Sequence, residues 1–115
     1  MTAYFTLIND SVEVLRAPVV EDDYHSQVRN WDAAVVALTG LASVQPGFST
    51  ENPNDRQTTV TTWRLISADA VLFDIEPTDR IRWQGNVFEV DSEPMLWRWF
   101  NRDHHIELYM REVHG

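Results

Sequence analysis

Asp79-Arg80-Ile81-Arg82-Trp83-Gln84-Gly85-Asn86-Val87-Phe88-Glu89-Val90 is the stretch that decides the fold class. Residues 80–83 and 86–90 read as two strands, which leaves Gln84-Gly85 between them as a two-residue turn. A turn this tight follows the twist of its strands only when its backbone enters positive φ, and Gly85 does so without steric cost. Pro94 closes the second arm.

Outward from this hairpin the chain keeps a period of two. In residues 105–113, Ile106, Leu108 and Met110 face one way, with Glu107, Tyr109 and Arg111 between them. Gln57 to Ser67 is threonine-rich and β-branched, which suits a pleated, half-buried surface. Residues 69–79 form a connection that contains Val71-Leu72-Phe73 and ends at Pro77. Leu41 to Gln45 reads as a strand stopped by Pro46-Gly47. Ser11 to Val20 is another, with Val12 and Val14 on one face and Pro18 marking an edge or a bend. Glu21-Asp22-Asp23 is an acidic, solvated connection. In residues 29–38, the run Ala33-Ala34-Val35-Val36-Ala37-Leu38 leaves short helix and strand both open.

The stretch Gly47, Phe48, Ser49, Thr50, Glu51, Asn52, Pro53, Asn54, Asp55, Arg56 has neither period and one large apolar residue, so it reads as a long exposed loop. The whole predicts an all-β chain: a small barrel or sandwich-like meander of about six or seven strands, with one long loop and at most one short helix. A length of 115 residues fits a single domain, residues 1–115.

Composition narrows the function. No run of residues approaches a membrane span, and Met1 to Phe5 lacks the basic start and apolar stretch of an export signal, so synthesis and retention in the cytoplasm are expected. Cysteine is absent, which removes disulfides, thiol nucleophiles and thiolate metal sites together. The 18 acids outnumber the 9 bases, for a net charge of −9, and every base is arginine. Gripping DNA needs cations to neutralise phosphates, so tight DNA binding is not expected.

The search for chemistry finds little. On a regular strand His104 and His105 point to opposite faces and cannot share an ion, whereas His105 and Glu107 share a face. No serine lies in a nucleophile-elbow context, and the glycines at 40, 47, 85 and 115 are isolated, so neither a phosphate loop nor a dinucleotide fingerprint exists. No catalytic residue, metal site or cofactor is therefore assigned. The tryptophans are more informative. Trp63 and Trp83, inside strands, read as core. Trp97 and Trp99 would share a face if extended, and core and interface both stay open for them. Since Trp and Arg concentrate where subunits meet, Trp97, Arg98, Trp99 and Phe100 form the candidate subunit interface.

The order of these elements resembles the bacteriophage head-closure proteins, the head-to-tail stoppers or head–tail joining proteins. The resemblance covers roughly residues 11–113. It rests on the Val12-x-Val14 strand, a short meander carrying Trp31, and Leu41-Ala42-Ser43-Val44-Gln45-Pro46 leading into the polar loop. Thr59 to Ile66, the hairpin 79–90 and the strand His105 to Glu112 complete it. The stretch Trp97-Arg98-Trp99-Phe100 departs from the short charged turn usual there. The resemblance implies a structural virion protein of a tailed-phage neck, of siphophage type, and not an enzyme. It implies a homo-oligomeric ring between portal or adaptor proteins above and tail proteins below. Packaged DNA would pass through without being held tightly, and Gly47 to Arg56 would be the channel loop. Alternatives are another neck or tail ring component, such as a tail terminator or a largely helical adaptor, and, more distantly, a small β-barrel metal-binding or enzymatic domain.

Overall fold

The computed structural model describes residues 10–52 and 57–113; for 48–52 and 57–61 only the backbone is considered. Nine strands run in chain order among the described residues: β1 Asp10–Arg16, β2 Val19–Glu21, β3 Gln27–Arg29, β4 Val35–Asn52, β5 Gln57–Ser67, β6 Arg80–Trp83, β7 Asn86–Val90, β8 Met95–Trp99 and β9 Arg102–Glu112. The only helical pieces among the described residues are 3-10 turns at Trp31–Ala33 and Ala70–Asp74.

The sheet order is β5-β4-β1-β6-β7-β9-β8, and β5 also pairs with β9. Six strands therefore close on themselves as an antiparallel barrel, and β8 lies outside the ring of six on β9. Closure removes the exposed edges that an open sheet would present. β2 and β3 form a separate small hairpin.

Period-two alternation builds the core. Val12, Val14, Ala42, Val44, Leu65, Ile81, Phe88, Ile106, Leu108 and Met110 all face inward and are buried. Their outward neighbours pair across the strands, Glu13 with Arg82 and Arg64 with Glu107. One mouth of the barrel is filled by aromatics. Trp63 and Trp83 stand 5.5 Å apart, each 6.1 Å from Phe88, all tilted or edge-on. Both tryptophans pack on the core, as their place inside strands predicts.

The other mouth is plugged by the Ala70–Asp74 turn. Asp69 caps it by accepting from Val71 N–H and also ties it to β4 by accepting from Leu41 N–H. Leu72 enters the core completely buried. It fits because Gly40 lies opposite: a Cβ there would sit 2.7 Å from Leu72 Cγ.

One open alternative is resolved and one expectation changes. Residues 31–38 resolve into a 3-10 turn followed by the start of β4. The expected long loop Gly47–Arg56 is not a loop over its first part: Gly47 to Asn52 continue β4, paired with β5 as far as Asn52↔Gln57, while Pro53 to Arg56 lie outside the described residues. The physical reason is edge geometry. Val44 N–H points toward β1, where Asp10 Oδ2 accepts it, so the nitrogen of Pro46, two residues on, faces the same way and costs the β4–β5 ladder no bond. β-bulges around Gly47 and Phe48 then absorb the turn residues. Gly47 itself lies so close to the Tyr109 ring that a Cβ would be 3.2 Å from Tyr109 Cδ1.

Candidate functional site

Two hairpins leave the barrel in opposite directions. β4 and β5 run past the Trp63–Trp83 mouth, where Trp63 is the last β5 residue still paired to β9, opposite Met110. At the plugged end, the β8 ladder on β9 overlaps that of β5 at Glu107 and Ile106, and beyond the last β5 pair, Ile106↔Ser67, β9 continues with β8 alone, from Trp97↔His105 to Trp99↔Arg102.

Phe100-Asn101 forms the tip of this second hairpin, both at positive φ, 50° and 61°. Gln84-Gly85 does the same between β6 and β7, at 51° and 80°, as the glycine requires. An aromatic residue in the left-handed region is costly, by an amount on the order of 1 kcal/mol. Phe100 is also 84% exposed.

The candidate interface residues all sit on this hairpin. Trp97 and Trp99 are 49% and 64% exposed, which excludes them from the core of the monomer. Alternation puts Met95, Trp97 and Trp99 on the face that carries His105, and Trp97 stacks on that imidazole at 6.0 Å and 12°. Trp99 meets the Phe100 ring edge-on at 5.1 Å. Arg98 turns to the other face and pairs with Asp103 at 2.9 Å. Exposed Met95 extends this face, whereas exposed Leu96 lies with Arg98 on the opposite one.

The histidine pair departs from the sequence-based expectation. Trp97 pairs with His105 but Arg98 with Asp103, so His104 is the extra residue of a β-bulge. The bulge turns both imidazoles to one side, with His104 Nδ1 and His105 Nδ1 2.8 Å apart. One ring must be neutral to accept that bond. No group of three or more potential metal ligands converges among the described residues.

Burial, together with the neighbouring His104 and Arg64, holds the His105 imidazole below its ordinary value; Glu107 opposes them. The folded state binds this proton more weakly than the unfolded chain. Its contribution is thus complete above about pH 6.5 and declines as pH falls from there to the lower folded value. Acidification from about pH 7.5 to 5.5 should therefore lower the melting temperature of the wild type more than that of His105→Asn. Equal losses in the two proteins would show that His105 does not couple folding to pH.

No protein-family model matches the sequence, and no curated protein matches it. Solved structures do share its shape. A chain of the "virion of native gene transfer agent (GTA) particle" superposes with a TM-score of 0.63 and 16% identity, covering 92% of this chain and 96% of the other. This chain shares the fold of that chain of the particle. Protein SF1141 from Shigella flexneri 2a, a solution structure, has a TM-score of 0.56 and 16% identity over 91% of this chain and 92% of its own. At this identity the likeness establishes the fold alone, and it includes nearly the full length of each partner.

Proposed function

We propose that this chain is a structural protein of a tailed-phage-like virion, forming a homo-oligomeric ring in the neck between portal or adaptor and tail, where it closes the head and retains packaged DNA. The observation that carries this reading is the nearly full-length likeness to a chain of a gene transfer agent virion. The two opposed hairpins support it, because a ring component must make contacts on both of its faces. The β8–β9 hairpin, with Trp97, Arg98, Trp99 and Phe100, is the proposed subunit contact. The β4–β5 arm, with Gly47 to Asn52 on one strand and Pro53 to Arg56 beyond it, is the proposed channel element. A net charge of −9 fits a conduit that passes DNA without holding it. Among the alternatives, a tail terminator shares the ring role. The largely helical adaptor is disfavoured, since no α-helix occurs among the described residues.

Trimming the arm tests the reading. Ser49 and Val60 are already paired, so replacing residues 50–59 with Asn-Gly rejoins the ladder through a two-residue turn. The buried core lies wholly outside the deletion, so the fold should survive. Particles assembled with the trimmed chain should lose packaged DNA or fail to join tails. Normal DNA retention and infectivity would remove the channel role, even if the protein proved to be a neck component.

A further inference from the structure

Charge accounting isolates one place on this acidic protein. Of the arginines among the described residues, Arg16, Arg64, Arg82, Arg98 and Arg111 each pair with a carboxylate. Arg29, Arg80 and Arg102 have no carboxylate partner among the described residues. Arg29 and Arg80 line the same cleft, of about 220 Å³, at the foot of the β2–β3 hairpin, together with Trp31, Thr78 and Val90.

Both guanidinium groups are held in place without being neutralised. Arg80 lies over the Trp31 ring, 4.2 Å from its centroid. Arg29 donates to Ala17 O at 3.0 Å and Thr78 Oγ1 at 3.2 Å, which fixes its plane and leaves other N–H donors unused. The carboxylate on the cleft wall, Asp79, is buried and already engaged by Arg16 Nε and Nη2 at 2.9 and 2.8 Å and by Glu76 N–H. Glu89, opposite Arg80 in the β6–β7 register, is exposed and makes no ion pair among the described residues.

We infer that this cleft binds an acidic peptide segment of a partner protein, a carboxylate seated between Arg29 and Arg80 and an apolar neighbour against Trp31 and Val90. Charge complementarity selects this occupant. Two fixed forks suit a carboxylate bidentately, whereas the negative field of the chain and the Glu89 rim disfavour the dense charge of a nucleic-acid backbone. The proposal stands independently of the ring reading.

The probe is a capped pentapeptide alternating Glu and Leu, followed by amide and indole NMR at low salt, with the Gln–Leu peptide as control. The Glu–Leu peptide should shift the Trp31 indole N–H and the Thr78 and Glu89 amides saturably, while the control shifts none of them. Arg80→Gln and Arg29→Ala should each weaken binding about tenfold or more, the loss typical of a charge-assisted bidentate contact. Arg29→Ala also breaks the ties to Ala17 and Thr78; if it melts the β2–β3 hairpin, Arg80→Gln alone decides. Equal shifts with the control peptide, or undiminished binding by Arg80→Gln, overturn the proposal. So do shifts at these residues produced by a DNA duplex instead of the peptide. Shifts that grow with protein concentration alone identify a second copy as the occupant, and likewise overturn it.

Discussion

Replacing Trp97 and Trp99 together with Ala should leave thermal unfolding within about 1 kcal/mol of the wild type and abolish incorporation into particles. Both side chains are about half exposed or more, and their ring contacts are with His105 and Phe100, so little stability depends on them. Anchors of this type lose about 2 kcal/mol or more of binding on truncation, a factor of about thirty for each contact. In a ring every subunit makes that contact twice, once on each side, so the losses compound around the circle. The two readouts pull apart the two roles these residues could have. A collapse of the melting temperature with normal assembly would mean that the hairpin folds onto the barrel in solution.

Leu72→Ala should be the most damaging single change to the fold itself, at about 3–4 kcal/mol, or a fall on the order of 15 °C in melting temperature. Leu72 is fully buried at the plugged mouth, and it is the one buried residue of the capped turn that carries it. Gly40→Ala should cost about 1–3 kcal/mol by the opposite fault, since its methyl would press on Leu72 Cγ and on Asp69 Oδ2. The pair makes the argument sharp. In the double variant the new methyl enters the space that Leu72 vacates, so the combined loss should be smaller than the sum. Strict additivity in denaturant unfolding would show that Leu72 and Gly40 do not share a packing site.

The barrel was legible in the sequence where the reasons were local. Alternation in β1 and β9 named the faces that are buried, and Gln84-Gly85 named its turn, because strand pleat and positive φ act within a few residues. What stayed hidden depended on partners far along the chain. Pro46-Gly47 looks like a stop, and becomes strand only because Thr-rich β5 lies alongside and the Pro46 nitrogen, which has no hydrogen to donate, faces away from β5, on the side where Asp10 accepts from Val44 N–H. His104 looks like one member of an alternating strand, and the bulge that moves it beside His105 arises from the pairing with β8. The candidate interface was legible from composition, since four consecutive bulky or arginine residues after a proline stand out in any register. Its exposure was not, because burial is decided by the three strands that crowd β9. The cleft with Arg29 and Arg80 could not be anticipated either. It joins residues about fifty positions apart, and its meaning comes from which other arginines are already matched.

β9 carries three ladders on one strand: β8 along Arg102–Glu107, β5 along residues 106–110 and β7 along residues 110–112. The strand therefore works as a tie-rod. Tension applied at the β8–β9 tip runs along the strand axis into the barrel, where the β5 and β7 hydrogen bonds are loaded side by side and must yield together. A pull across the strands would instead open them one at a time, like a zipper. The direction of a load, more than its size, should then decide how long this domain survives it, with its greatest mechanical strength along the line that joins its two projecting hairpins.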